Sequence, residues 1–101
     1  MNTVELTQFK KEIDQFHNFL LSYDTPLLPM RMFLTFNKAY LGIFGNIILF
    51  LKNEYTEVHL SNIKEIYSQD LGDTYEYNIV CKMVTSNQRG ETEVIYKLVC
   101  S

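Results

Sequence analysis

Between Tyr40 and Leu60 the chain reads YLGIFGNIILFLKNEYTEVHL, and from Leu41 to Leu51 it is almost unbroken apolar sequence around one glycine-asparagine pair. A strand with one solvated face alternates apolar and polar residues, so a strand that is apolar on both alternations needs cover on both sides. The charge-free stretch, Ala39 to Leu51, is too short for a membrane-spanning helix, which needs about 20 residues. Its two faces must therefore be buried within the fold or against another molecule.

The surrounding pattern predicts how. Met30, Met32, Leu34 and Phe36 alternate with Arg31, Phe33 and Thr35, the period of a strand. Two-residue turns at Asn37-Lys38, Gly45-Asn46 and Asn53-Glu54 continue it as a meander. They pair Leu34 with Leu41, Ile43 with Ile48 and Leu49 with Val58. Met32, Leu34, Phe36, Leu41, Ile43, Ile48 and Phe50 then share one face, with Phe33, Tyr40, Phe44, Ile47, Leu49, Leu51, Val58 and Leu60 on the other. A three-residue turn at 61–63 adds a strand that sets Val58 against Ile66, His59 against Glu65 and Glu57 against Tyr67. Two last strands, near 74–84 and 92–100, flank SNQRG (86–90), a hairpin loop with polar residues and glycine.

Ahead of the sheet, Leu6, Phe9, Ile13, Phe16, Leu20 and Tyr23 recur at spacings of three and four, which predicts a helix over 3–23. Asn2 or Thr3 caps its start and Pro26 prevents its continuation. Its single apolar stripe is expected to pack on the Leu34/Leu41/Ile48 face. The expected fold is α+β: an N-terminal amphipathic helix on a curled antiparallel β-meander of five to six strands over 30–100, either an open sheet or a small barrel. The whole chain, 1–101, reads as a single domain, with no linker, repeat or low-complexity tract. The other apolar face is buried by the sheet curling over itself or by a second molecule, a homodimer among the expectations.

Several chemistries find no framework. Neither an HxxxH nor a CxxC spacing occurs, so no metal is expected. The glycines are scattered and form no phosphate-binding loop, and no nucleophile motif is present. The expected protein is not an enzyme and carries no cofactor. In the predicted register Cys81 lies opposite Ile95 or Tyr96, far from Cys100, which suits two separate thiols in a reducing, cytoplasmic compartment rather than a disulfide. The N-terminus, with acids at Glu5, Glu12 and Asp14, does not read as a signal peptide.

Charge is more informative. The net charge is −3, yet residues 26–52 hold Arg31, Lys38 and Lys52 and no acid. Residues 53–76 hold Glu54, Glu57, Glu65, Asp70, Asp73 and Glu76 against Lys64 alone. No dense basic stripe is present, so direct nucleic-acid binding is not expected. Tyrosine gives binding surfaces large area at low entropic cost, and the acidic segment is rich in it. The expectation is a protein-interaction module, an inhibitor or adaptor, that holds a basic protein surface through Tyr55, Glu57, His59, Glu65 and Tyr67. The residue usage fits an AT-rich genome, phages and mobile elements included. The alternative is a small barrel taking a lipid or other apolar ligand against a Phe33/Tyr40/Leu49 lining.

Overall fold

The computed structural model describes residues 2–25, 28–44, 46–84 and 91–101. In chain order its elements are β1 (Asn2–Thr3), α1 (Leu6–Ile13), β2 (Phe19–Thr25), β3 (Leu28–Phe36), β4 (Lys38–Phe44), β5 (Asn46–Lys52), β6 (Glu57–Leu60), β7 (Ile63–Asp70), β8 (Tyr75–Val84) and β9 (Glu91–Cys100). They make an antiparallel sheet of six strands, ordered β1-β7-β8-β9-β2-β3, and another of three, ordered β4-β5-β6. The class is α+β, as the pattern predicts, with open sheets and no closed barrel. The expected single meander of five to six strands is instead two sheets.

The helix occupies 6–13 rather than 3–23. Asn2 and Thr3, expected as caps, pair with Ser68 and Tyr67 as β1. Beyond Ile13 the apolar spacing of three and four is coincidental. Phe19 and Leu21, two apart, are both buried, as in a strand. Asn18, Ser22, Asp24 and Thr25 are weak helix formers. The backbone N–H groups of His17 and Asn18 both donate to the Ser101 carbonyl at 3.0 Å, and the segment enters the sheet between β9 and β3. Sheet pairing on both sides outweighs a marginal helical stripe. The expected helix stop at Pro26 lies outside the described residues.

Asn37 resolves the two-sided apolar run. The chain leaves the large sheet after Phe36 and enters the small one at Lys38, with the Asn37 N–H donating to the Lys52 carbonyl at 3.1 Å. The expected pairing of Leu34 with Leu41 therefore does not form: Leu34 lies opposite Leu21, and Leu41 opposite Leu49. In the β4–β5 hairpin Ile43 faces Ile47 instead of Ile48. Gly45, the glycine of that turn, lies outside the described residues. A one-residue slip exchanges which side chains share a face. Leu41, Leu49, Leu51, Val58 and Leu60 now point inward, while Tyr40, Ile48, Phe50 and His59 point outward, so the expected Leu34/Leu41/Ile48 face does not exist.

The β5–β6 connection spans residues 53–56, not two residues, because Asn53 builds a wider turn. Its Oδ1 accepts the N–H groups of Tyr55 and Thr56, each at 2.8 Å. Its Nδ2 donates to the Thr35 carbonyl at 2.7 Å, tying the small sheet to β3 of the large one. Leu49 consequently pairs with Leu60, and Leu51 with Val58. The chain returns to the large sheet through Ser61-Asn62, where Asn62 adopts φ 57°, a left-handed conformation that asparagine tolerates. The β6–β7 hairpin expected here is therefore absent, since the two strands belong to different sheets.

One hydrophobic cluster joins all layers. The small sheet contributes Leu49, Leu51 and Leu60, the large sheet Leu21, Phe36, Ile66, Tyr77, Ile79 and Leu98, and the helix Phe9 and Ile13. Phe9 sets its ring edge-on to Tyr77, with centroids 4.9 Å apart and planes at 80°. The β8–β9 hairpin runs in close to the expected strands, with the 86–90 loop outside the described residues. Cys81 pairs with Val94, one residue from the expectation, and Cys100 with Tyr75 at the other end of the ladder. Both thiols are free and buried.

This packing separates two neighbouring helix positions. Phe9→Ala should lower the unfolding free energy by about 3–5 kcal/mol, the usual effect of emptying a core aromatic site. Lys11→Ala, on the exposed side, should stay within about 0.5 kcal/mol. Denaturant titration measures both, and equal losses would contradict the core assignment.

Candidate functional site: an acidic aromatic cleft

The five residues expected to form one partner-binding face are divided among three places. Glu57 and His59 lie on the outer face of the small sheet. Glu65 and Tyr67 lie on β7 of the large sheet, opposite Val80 and Asn78. Tyr55 stands in the β5–β6 turn, 91 % exposed. The expected contact of His59 with Glu65 is replaced by His59 Nε2 beside Glu57 Oε1 at 3.2 Å. Glu65 instead accepts the Tyr67 hydroxyl, which raises that phenol above its ordinary pKa. The separation follows from the sheet change at Ser61-Asn62, which the alternation of residues does not reveal.

On the outer face of the small sheet, register places Tyr40, Phe50 and His59 in one row across three strands. The Tyr40 and Phe50 rings stack with centroids 4.8 Å apart and planes at 7°. Phe50 meets His59 edge-on at 4.6 Å. Glu57 accepts the Tyr40 hydroxyl at 3.2 Å, and partial burial followed by this bond raises the Tyr40 pKa. Tyr40 and Leu49 thus occupy opposite faces of the sheet, so the apolar lining of the barrel alternative is not formed.

A concave surface forms elsewhere in the acidic segment. Helix α1 ends at Ile13, and the turns Gln15 N–H to Glu12 O (3.1 Å) and Phe16 N–H to Ile13 O (3.3 Å) carry the chain around its C-terminus. Facing them is the β7–β8 turn, closed by Leu71 N–H to Thr74 O at 2.9 Å. Asp70 Oδ1 accepts the Gly72 N–H at 2.9 Å, and Gly72 takes φ 92°, which favours glycine. Between the two turns lies a cleft of about 280 Å³. Its aromatic side is Phe16, Tyr75 and Tyr77, with Phe16 6.0 Å from Tyr75 and Tyr75 5.2 Å from Tyr77 between centroids. Glu12, Asp70 and Asp73 supply its carboxylates, and among the described residues no lysine, arginine or histidine lines it.

Glu12 is held in place. Its Oε2 accepts the hydroxyl of the fully buried Tyr77 at 2.9 Å and its Oε1 accepts Gln8 Nε2 at 3.5 Å. Burial, then the Glu12 carboxylate, push the Tyr77 phenol well above its usual range. The sequence signal for this cleft was the cluster of acids and tyrosines at 70–77; Glu12 and Phe16 were hidden because the helical stripe assigned Phe16 to the sheet-packing side.

Among the described residues no group of three or more His, Cys, Asp or Glu is placed to hold a metal ion. Burial pushes the Cys81 thiol up to about 11 and the Cys100 thiol up to about 12, so neither is an activated nucleophile. No described helix is long and apolar enough to cross a membrane. Comparison with protein-family models, with curated proteins and with solved structures finds no match.

The raised values carry a pH dependence. In the unfolded chain the thiols ionise near 9.0 and the phenol near 10.0, whereas the folded chain holds these protons to higher pH. Ionisation therefore favours unfolding: the contribution of these three groups should be unchanged between about pH 7 and 8, and stability should fall progressively above about pH 9. Cys100→Val should flatten this alkaline decline. Denaturant midpoints across this range measure it, and a midpoint independent of pH would contradict the buried protonated groups.

Proposed function

We propose that this is a small non-enzymatic protein-interaction module, an adaptor or inhibitor, that captures a basic protein surface through the cleft between the end of α1 and the β7–β8 turn. One observation carries the reading: three carboxylates and three aromatic rings line a single concavity, and none of the described residues of its lining is a cation. Carboxylates draw in a lysine or arginine side chain, and an aromatic wall adds cation–π attraction as its charge leaves water. The negative end of the α1 dipole, at Ile13–Asp14, points the same way. Lys10 and Lys11 of its last turn are exposed and outside the cleft lining. The volume accommodates a side chain or two and falls below the range of about 300–1,000 Å³ usual for sites of larger ligands. In this proposal the acidic, tyrosine-bearing surface is that of Asp70, Asp73, Tyr75 and Tyr77, joined by Glu12 and Phe16, in place of Tyr55, Glu57, His59, Glu65 and Tyr67.

Fluorescence anisotropy with a labelled arginine- and lysine-rich peptide, and an acidic peptide of equal length, tests this at low and high salt. The basic peptide should bind, and should weaken as salt rises. Asp70→Asn with Asp73→Lys keeps the oxygen that accepts the Gly72 N–H while reversing the exposed charge, so the fold should persist and affinity should fall about tenfold or more. Undiminished binding by this variant would place the basic partner elsewhere.

A further inference from the structure

The outer face of the three-stranded sheet has an unexplained charge arrangement. Lys38 and Lys52 lie directly opposite each other across β4 and β5, on the same face as the Tyr40–Phe50–His59 row. Like charges in that position oppose each other and weaken the pairing. Neither lysine forms an ion pair with any described residue. Glu57 pairs with Lys52 in register, yet its carboxylate is engaged by Tyr40 and His59 at 3.2 Å each instead. Beside the lysines, Tyr40 is 46 % exposed, and Phe50 and Ile48 are half-buried. Two unpaired cations thus border an apolar strip on one sheet face.

We infer that this face docks an extended acidic segment of a partner protein, with carboxylates over Lys38 and Lys52 and aliphatic side chains along Tyr40, Phe50 and Ile48. Charge complementarity selects the acid. An extended strand repeats its side chains on one face every second residue, which matches rows spaced two residues apart along β4 and β5. The rings select against nucleobases: Tyr40 and Phe50 stack on each other at 4.8 Å and 7°, and Phe50 also meets His59 edge-on, so the row is engaged within itself rather than set out as separate platforms for successive bases. The inference does not depend on the cleft, which lies between α1 and the β7–β8 turn. Together the two surfaces would let the chain join a basic partner to an acidic one.

The probe is an extended peptide whose every second residue runs glutamate, leucine, leucine, with threonine between them, so that glutamate and leucines share one face; a glutamine-for-glutamate version is the control, and both are titrated onto the full chain by calorimetry. The glutamate peptide should bind, and the control should bind at least about tenfold more weakly. Lys38→Glu with Lys52→Glu should abolish the difference, and Tyr40→Ser should weaken binding without changing the denaturation midpoint by much. The Asp70→Asn/Asp73→Lys variant should bind this probe as wild type does. Equal binding by the lysine-reversed protein, tighter binding of a single-stranded oligonucleotide, or sedimentation showing a dimer that Tyr40→Ser dissociates would each overturn the inference.

Discussion

Burial of Leu49, Leu51 and Leu60 in the same cluster as Leu21, Tyr77 and Leu98 is the contact on which the architecture depends. It exists because the chain passes from one sheet to the other twice, at Asn37 and at Ser61-Asn62. Without these crossings β4 and β5 would extend the large sheet, and one apolar face would remain in water. With them, the small sheet turns one face inward against the large sheet and keeps the other, aromatic and partly charged, outside. Asn53 reinforces the arrangement from the edge, since one side chain closes its own turn and donates across to Thr35. The helix completes the cluster through Phe9 and Ile13, and its end becomes one wall of the cleft.

Much of this was legible in the residues, and the failures have physical causes. The period-two alternation over 30–36 and the polar loop at 86–90 located β3 and the β8–β9 hairpin closely. The apolar run predicted cover on both faces, and the fold supplies it on one: Leu49 and Leu51 are buried in the cluster, whereas Tyr40, Ile48 and Phe50 stay on the outer face. What alternation cannot encode is which sheet a strand joins, since a tight turn between paired strands and a crossover between layers use the same short polar residues. Asn37 and Ser61-Asn62 read as hairpin turns for that reason. The segment 19–25 supports both a helical and a strand period, and only pairing with β9 and β3 decides it. Misplacing the two connections at Asn37 and Ser61-Asn62 was enough to scatter Tyr55, Glu57, His59, Glu65 and Tyr67.

The same crossings generate an asymmetry of charge. Acidic residues 70–73 fall in a turn opposite the helix end, where they surround a concavity, while the basic pair Lys38 and Lys52 falls on the outer face of the other sheet. The sequence asymmetry between 26–52 and 53–76 therefore becomes a spatial one, with an acid-lined surface and a lysine-bearing surface on different parts of a 101-residue chain. Complementary charge governs association rate and salt sensitivity, whereas buried aromatics such as Tyr77 fix the geometry of the groups that provide it. Tyr77 serves both ends of that division, packing on Phe9 and orienting Glu12.

The central claim is that the cleft between α1 and the β7–β8 turn receives a basic side chain. Backbone amide shifts followed by nuclear magnetic resonance, as an arginine-rich peptide is added, test this most directly. The account predicts shifts concentrated at 12–16 and 70–77, with the amides of Lys38, Phe50 and Lys52 unmoved. Shifts confined to the outer face of the small sheet, or spread evenly over the acidic surface, would contradict it.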